Sequence, residues 1–296
     1  MQRSVTSNWL GVAPAWVVIG IFGVLPMFIM LAISFMVADP YGGVEQAYSH
    51  EAYIQFLFER DLDDSLIFNP IYLNIMLRSV GLAAMTTLLC LIIGLPVAYY
   101  IARQPEDRRN LFMLLITIPF WTNLLIRTYA WILILTRNGV IDTRLQSVGF
   151  EAGTFDLLYT NTAIFIGLVY SYLPFMVLPL YASLEKMDFR LVEAASDLYA
   201  SKWQAARHVI IPLARPGIVA GSLLVFIPSI GAFVAPELLG GGKRMMLGSL
   251  IYFQFSTARN WPFGAAVSIL LMAFVMIALI VYARASRGQG LPAGGH

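Results

Sequence analysis

Long apolar runs separated by short charged clusters make up most of this chain. Free of Asp, Glu, Lys and Arg are Ser4–Ala38 (35 residues), Ser79–Ala102 (24), Asn110–Ile126 (17), Leu157–Leu184 (28), Pro216–Pro236 (21) and Asn260–Ala283 (24). A helix needs roughly 20 such residues to cross about 30 Å of hydrocarbon, so the pattern predicts six membrane-spanning helices. The third run is the shortest, and Arg127 marks its outer end. The first run, with only Arg3 ahead of it, is more than twice a signal peptide's apolar core of about 7–15 residues, and reads as a retained helix.

The segments between the runs differ in kind. Ser49–Asp64 carries Tyr53, Phe56, Leu57 and Arg60 at helical spacing, which predicts a surface helix outside the membrane. Tyr129–Leu135 is apolar but too short to cross; it is expected to lie along the outer interface and to stop at the turn dipeptide Asn138-Gly139. The glycine-rich end, Gly288–His296, is expected to be a flexible tail. No repeat of 20–50 residues is visible, and residues 1–296 read as one transmembrane domain.

Composition agrees with a bilayer as solvent. Hydrophobic residues make up 59% of the chain and charged residues 12%, whereas a soluble domain averages about 25% charged. That excludes a soluble enzyme and a disordered tail. A net charge of +2 gives no field that would draw nucleic acid. The single cysteine, Cys90, has no disulfide partner, and His50, His208 and His296 have no metal-ligand spacing. With the N-terminus inside, 11 of the 19 Lys and Arg fall on the cytoplasmic side, the excess that the positive-inside rule requires. Both termini are therefore expected in the cytoplasm, with the acidic loop Asp39–Asn74 outside.

One cytoplasmic loop does more than connect. Glu185–Arg215, between spans four and five, is long, charged and helical in pattern. Glu193 and Asp197 lie one turn apart on one face, and Ser201 is placed to cap a second helix that Pro212 and Pro216 would end before span five. Two short helices joined by a turn make a knob. Here the chain resembles the permease subunits of ATP-binding-cassette (ABC) importers, whose loop reads Glu-Ala-Ala, three residues, Gly, nine residues, Ile, one residue, Leu-Pro. Glu193-Ala194-Ala195, Tyr199, Val209, Ile211 and Pro212 fall in that register. Tyr199 stands at the glycine position, and a residue with a Cβ does not take positive φ cheaply. The resemblance implies an all-α integral membrane protein of six transmembrane helices, with a cytoplasmic coupling-helix loop between spans four and five. It further implies that Glu193, Ala194, Ala195, Asp197, Leu198, Ala200 and Ser201 couple the spans to an ATPase.

Three further stretches are similar to the permeases of spermidine and putrescine importers: Ile118–Tyr129, Leu173–Tyr181 and Asn260–Ala266. The resemblance covers about 74–287, the core of the domain, and implies polyamine import across a bacterial inner membrane. An ionisable residue at membrane depth is a candidate site, which singles out Glu237 and Arg127 near the outer ends of spans. Pro228, Gly231 and Pro236 are expected to bend span five toward a cavity. A carboxylate there suits a polyamine, and Tyr170, Tyr172, Phe226 and Phe233 could supply cation–π contact. The alternative is that Glu237 sits among headgroups and pairs with Lys243 or Arg244, with the aromatics as packing or interface residues.

No phosphate-binding loop is present: Gly240-Gly241-Gly242-Lys243 comes nearest, but Arg244 follows and Glu237 stands at the first glycine's place. The chain is thus expected to be non-catalytic and to hold no cofactor. The resemblance assigns ATP and Mg to a partner ATP-binding-cassette ATPase homodimer, beside a second homologous permease, an external solute-binding protein and membrane lipid. A permease for another small organic solute is the nearer alternative. A gradient-driven transporter would want an acid or histidine in mid-span, and no run has one at its centre. A membrane enzyme would want a clustered polar set.

Overall fold

The computed structural model describes residues 14–61, 63, 65–151, 153 and 156–287. The expectations for Arg3 and for the tail Gly288–His296 lie outside the described residues. Among the described residues, six helical segments are long and apolar enough to cross a membrane: Pro14–Ile33, Ile71–Ala102, Leu124–Ser147, Asn161–Leu184, Lys202–Ile230 and Trp261–Ile280. We label the helices α1 (Pro14–Ile33), α2 (Glu51–Ile54), α3 (Ile71–Ala102), α4 (Glu106–Trp121), α5 (Leu124–Leu135), α6 (Val140–Ser147), α7 (Asn161–Leu184), α8 (Arg190–Asp197), α9 (Lys202–Ile230), α10 (Val234–Leu239), α11 (Leu247–Ser256) and α12 (Trp261–Arg287). The chain forms two compact units, one from the residues up to Asn74 with those from Leu250 onward, the other Ile75–Ser249.

The count of six matches the apolar runs, but the third segment does not. Asn110–Ile126 is divided at Thr122-Asn123, where the Asn123 side chain accepts a hydrogen bond from the Leu125 amide at 2.8 Å and starts a new helix. α4 is left with 16 residues, and the longer apolar segment is Leu124–Ser147, which contains Tyr129–Leu135. Asn138-Gly139 does make the expected turn between α5 and α6, with Asn138 at φ +61°. The buried Asp142 carboxylate holds that turn, accepting from the amides of Asn138 and Gly153 at 2.8 and 2.9 Å.

In the first unit, the expected helix over Ser49–Asp64 shrinks to α2, four residues long. An antiparallel hairpin, β3 (Phe58–Arg60) with β4 (Leu66–Phe68), takes over its second half, and another, β1 (Met36–Ala38) with β2 (Val44–Tyr48), precedes it. Cross-strand pairing outweighs the helical spacing here. Phe58 opposes Phe68 with ring centroids 6.0 Å apart, and Asn69 donates to Glu59 at 2.7 Å. Arg60 turns back to grip Glu51 through two hydrogen bonds, at 2.8 and 3.0 Å. Gly42 and Gly43, both at φ +103°, close the first hairpin behind Asp39-Pro40.

In the second unit, α7 lies against α9 and the C-terminal half of α3. Cys90 and Ala98 from α3, Met176, Val177, Leu180 and Leu184 from α7, and Ala214 and Val225 from α9 fill this interior. Backbones approach closely because α9 presents Gly217 and Gly221 four residues apart, the small-residue spacing of helix pairs in lipid. A Cβ on Gly217 would stand 2.5 Å from the Pro179 carbonyl oxygen and 2.9 Å from the Leu180 Cα, so backbone would have to move. A Cβ on Gly221 would stand 2.7 Å from the Met176 sulfur. Gly81 on α3 has no atom within 4 Å of where its Cβ would be. We expect Gly217→Val to destabilise the purified chain by about 1–3 kcal/mol or to prevent its folding. Gly81→Ala should be neutral or stabilising by up to about 1 kcal/mol, because alanine is the better helix former. Thermal unfolding in detergent would measure both.

Candidate functional site

The knob between α7 and α9 is built from three local devices. The first ends α8. The Ala200 amide donates to the Ala195 carbonyl at 3.1 Å and the Tyr199 amide to the Ser196 carbonyl at 3.0 Å, the paired bonds of a Schellman cap. Such a cap needs a left-handed residue, and Tyr199 supplies it at φ +61°. This explains why the pattern has glycine there, and the turn is as tight as a glycine would make it. The Tyr199 side chain is 98% exposed, so nothing in the chain compensates the strain.

The second device starts the next helix. Ser201 Oγ accepts from the Gln204 amide at 3.3 Å while the Gln204 carboxamide accepts from the Ser201 amide at 2.7 Å, a reciprocal capping box. Ser201 is the cap that its position in the sequence predicts.

The third device corrects the expected stop at Pro212 and Pro216. The helix that begins at Lys202 runs unbroken to Ile230 through a π-turn at Ala206–Ile210, where the Ile211 amide reaches back to the Ala206 carbonyl. Proline cannot donate to the carbonyl four residues earlier and its ring crowds that group. Widening the preceding turn accommodates Pro212, so the knob's second helix and span five are one element.

Glu193 and Asp197 both lie on the exposed side of α8, and among the described residues neither forms an ion pair. Ala194 is exposed beside them, whereas Ala195 and Ala200 are half-buried. Leu198 (81% exposed), Tyr199 and Trp203 (71%) cluster at the turn. The opposite side of the knob is anchored: Phe189 and Val192 pack on the core and the Phe189 ring meets Tyr99 at 6.0 Å. Glu185 pairs with Arg109 at 3.3 Å. The result is a braced platform that presents two carboxylates and three large apolar side chains to solvent.

Residues expected on a pathway separate into three groups. Tyr172 and Phe233 line one cleft of about 230 Å³, with Leu124, Ser171, Pro228 and Gly231. α9 ends at Ile230, beside the expected bend at Pro228 and Gly231, and Tyr172 donates its hydroxyl to the Pro228 carbonyl at 3.2 Å. Tyr170 lies apart, with its ring 5.9 Å from the Arg127 guanidinium and 5.5 Å from Trp131. Phe226 and Glu237 are half-buried and line no part of the cleft. Among the described residues, the Glu237 carboxylate has no ion pair with Lys243 or Arg244.

Arg127 does something its sequence position did not suggest. Its Nη1 donates to the Pro119 carbonyl at 2.9 Å, tying the end of α4 to α5 across the break at Thr122-Asn123. The only signal for that tie is the Pro-Phe-Trp-Thr-Asn run before the arginine.

The sequence pattern of the family described as "Binding-protein-dependent transport system inner membrane component" matches residues 91–289. The spermidine/putrescine transport system permease protein PotB of Salmonella typhimurium (strain SL1344) is 41% identical over 272 residues, covering 92% of this chain and 90% of the relative. Its counterpart in Escherichia coli (strain K12) is 40% identical, covering 92% and 94%. A crystal structure of a bacterial ABC transporter that imports the acidic polysaccharide alginate shares the fold, with a TM-score of 0.72 at 14% identity, covering 97% of this chain and 98% of that one.

The strain at Tyr199 is testable. Tyr199→Gly should stabilise the knob by about 1 kcal/mol, since a side chain in the left-handed region costs about 1–2 kcal/mol and glycine avoids it. Amide hydrogen exchange over residues 190–205 would show slower opening in the variant; unchanged or faster exchange would count against a strained cap.

Proposed function

Because the chain belongs to the family of binding-protein-dependent transport system inner membrane components, we propose that it is the permease subunit of an ATP-driven importer that carries polyamines such as putrescine and spermidine inward. The observation that carries the substrate is the identity of about two residues in five with polyamine permeases along nine-tenths of the chain. The knob supports the coupling. Its partners are a homodimeric ATP-binding-cassette ATPase that binds ATP and Mg, a second homologous permease and an external solute-binding protein. The chain itself catalyses nothing.

The spans lie in a bacterial inner membrane with both termini and the knob in the cytoplasm, the orientation that places the majority of Lys and Arg inside. Closure of the ATPase pair pushes on the face formed by Glu193, Ala194, Asp197 and Leu198. α8 is capped at Tyr199-Ala200 and α9 starts at Ser201, so the push enters α9, and α9 is locked to α7 by the glycine contact. The pair then reorients, opening the pathway inward or outward. At the outer end, Tyr172 and Phe233 offer π faces to an ammonium group, and Glu237, outside the cleft lining, adds negative charge two residues past Ala235 of the cleft wall.

Two results test this reading. Proteoliposomes holding this chain with its co-purified ATPase and permease, plus the binding protein, should take up labelled putrescine or spermidine only with ATP, competed by unlabelled polyamine. Uptake without ATP, or assembly with no ATPase, would overturn it. Removing a charged docking contact costs about 1.5–3 kcal/mol, so Glu193→Ala or Asp197→Lys should reduce uptake by roughly ten- to hundredfold while the spans still insert. Wild-type uptake in both variants would remove the docking role.

A further inference from the structure

Behind the exposed platform, the knob lines an open cavity of about 520 Å³ that no step of import uses. We propose that this cavity binds an anionic phospholipid, its phosphate between Arg103 and Lys202 and an acyl chain along the apolar wall of Leu95, Val192 and Ile210. The proposal rests on the chain being a membrane protein and is independent of the substrate it carries.

Two cations reach the cavity from separate elements. Arg103 follows the last residue of α3, and Lys202 opens α9. No acidic side chain lines the cavity, and among the described residues neither cation forms an ion pair. Arg103 lies over the Tyr99 ring, its guanidinium carbon 5.7 Å from the centroid, and donates to the Tyr99 hydroxyl at 3.5 Å. A guanidinium has five N–H donors, so this aromatic support orients the fork and leaves donors for a ligand oxygen. An anionic group with several oxygens fits this pair of cations.

The apolar wall decides which anion. Leu95 lies two turns inside the span from Arg103, and Val192 and Ile210 continue the wall on α8 and α9. Inorganic phosphate would use the two cations and nothing else. A phospholipid places its headgroup at the span's end and its chain on the wall, as in basic pockets between transmembrane helices that hold anionic lipid headgroups. Bound there, it wedges the end of α3 against both helices of the knob.

Native mass spectrometry of the purified full chain, titrated with phosphatidylglycerol and with phosphatidylcholine, tests the site. With two cations in play, phosphatidylglycerol should bind roughly tenfold or more tightly than phosphatidylcholine, and millimolar inorganic phosphate should not displace it. Arg103→Gln combined with Lys202→Gln should abolish the preference. Ala206→Trp keeps both cations but fills the cavity, and should lose phosphatidylglycerol as well; it carries the test if the double variant does not fold. Unchanged phosphatidylglycerol binding in either variant would overturn the proposal. So would equal binding of the two lipids by the wild type, or displacement by inorganic phosphate.

Discussion

The structure depends on one backbone contact, the approach of α9 to α7 at Gly217 and Gly221. Lipid tails are as apolar as leucine, so burying side chains gives helices in a bilayer little reason to associate. Close packing must do the work instead, and it needs residues without side chains at the crossing. The Pro179 carbonyl and the Leu180 Cα lie where any Cβ on Gly217 would intrude. Met176, Leu180 and Leu184 then fill the space on either side, all fully buried. A pair held this closely slides or rotates together, which is what a transporter needs of the helices nearest its drive.

The knob converts a surface push into motion of that pair. A Schellman cap that ends at Ala200 runs directly into a capping box that starts at Ser201, so the turn from α8 into α9 has little freedom. The π-turn at Ala206–Ile210 lets the helix pass Pro212 without a break. Tyr199 is the weak point: its positive φ costs energy that glycine would not, and no contact within the chain returns it. In the proposed importer its exposed ring, with Leu198 and Trp203, faces the ATPase, where burial would compensate the strain.

Much of this was legible in the residues. Charge-free runs marked five of the six crossing segments, and Ser201 announced its cap three residues before Gln204. The third segment was misplaced because hydropathy does not register the Asn123 side chain bonding to the Leu125 amide, which restarts the helix inside an apolar run. The helix expected over Ser49–Asp64 was lost to pairs such as Phe58–Phe68, whose partners lie on the neighbouring strand rather than one turn away. Proline was read as a stop, although the turn before it can widen to accept it. The candidate pathway was least legible. Tyr172 on α7 and Phe233 just ahead of α10 line one cleft, whereas Tyr170 is drawn off by Arg127 and Trp131, and spacing along one helix cannot distinguish these fates.

The central claim is that the knob's second helix and span five move as a single rod. Spin labels at Trp203 and Leu224, in a Cys90→Ser background, bracket the π-turn and should stand about 30 Å apart. Distances would be compared by electron–electron double resonance in the assembled importer, nucleotide-free and with ATP bound. A rod keeps the two distance distributions coincident within about 2 Å while the knob itself moves. A shift of one helical turn, about 5 Å, would make the π-turn a hinge and contradict the account.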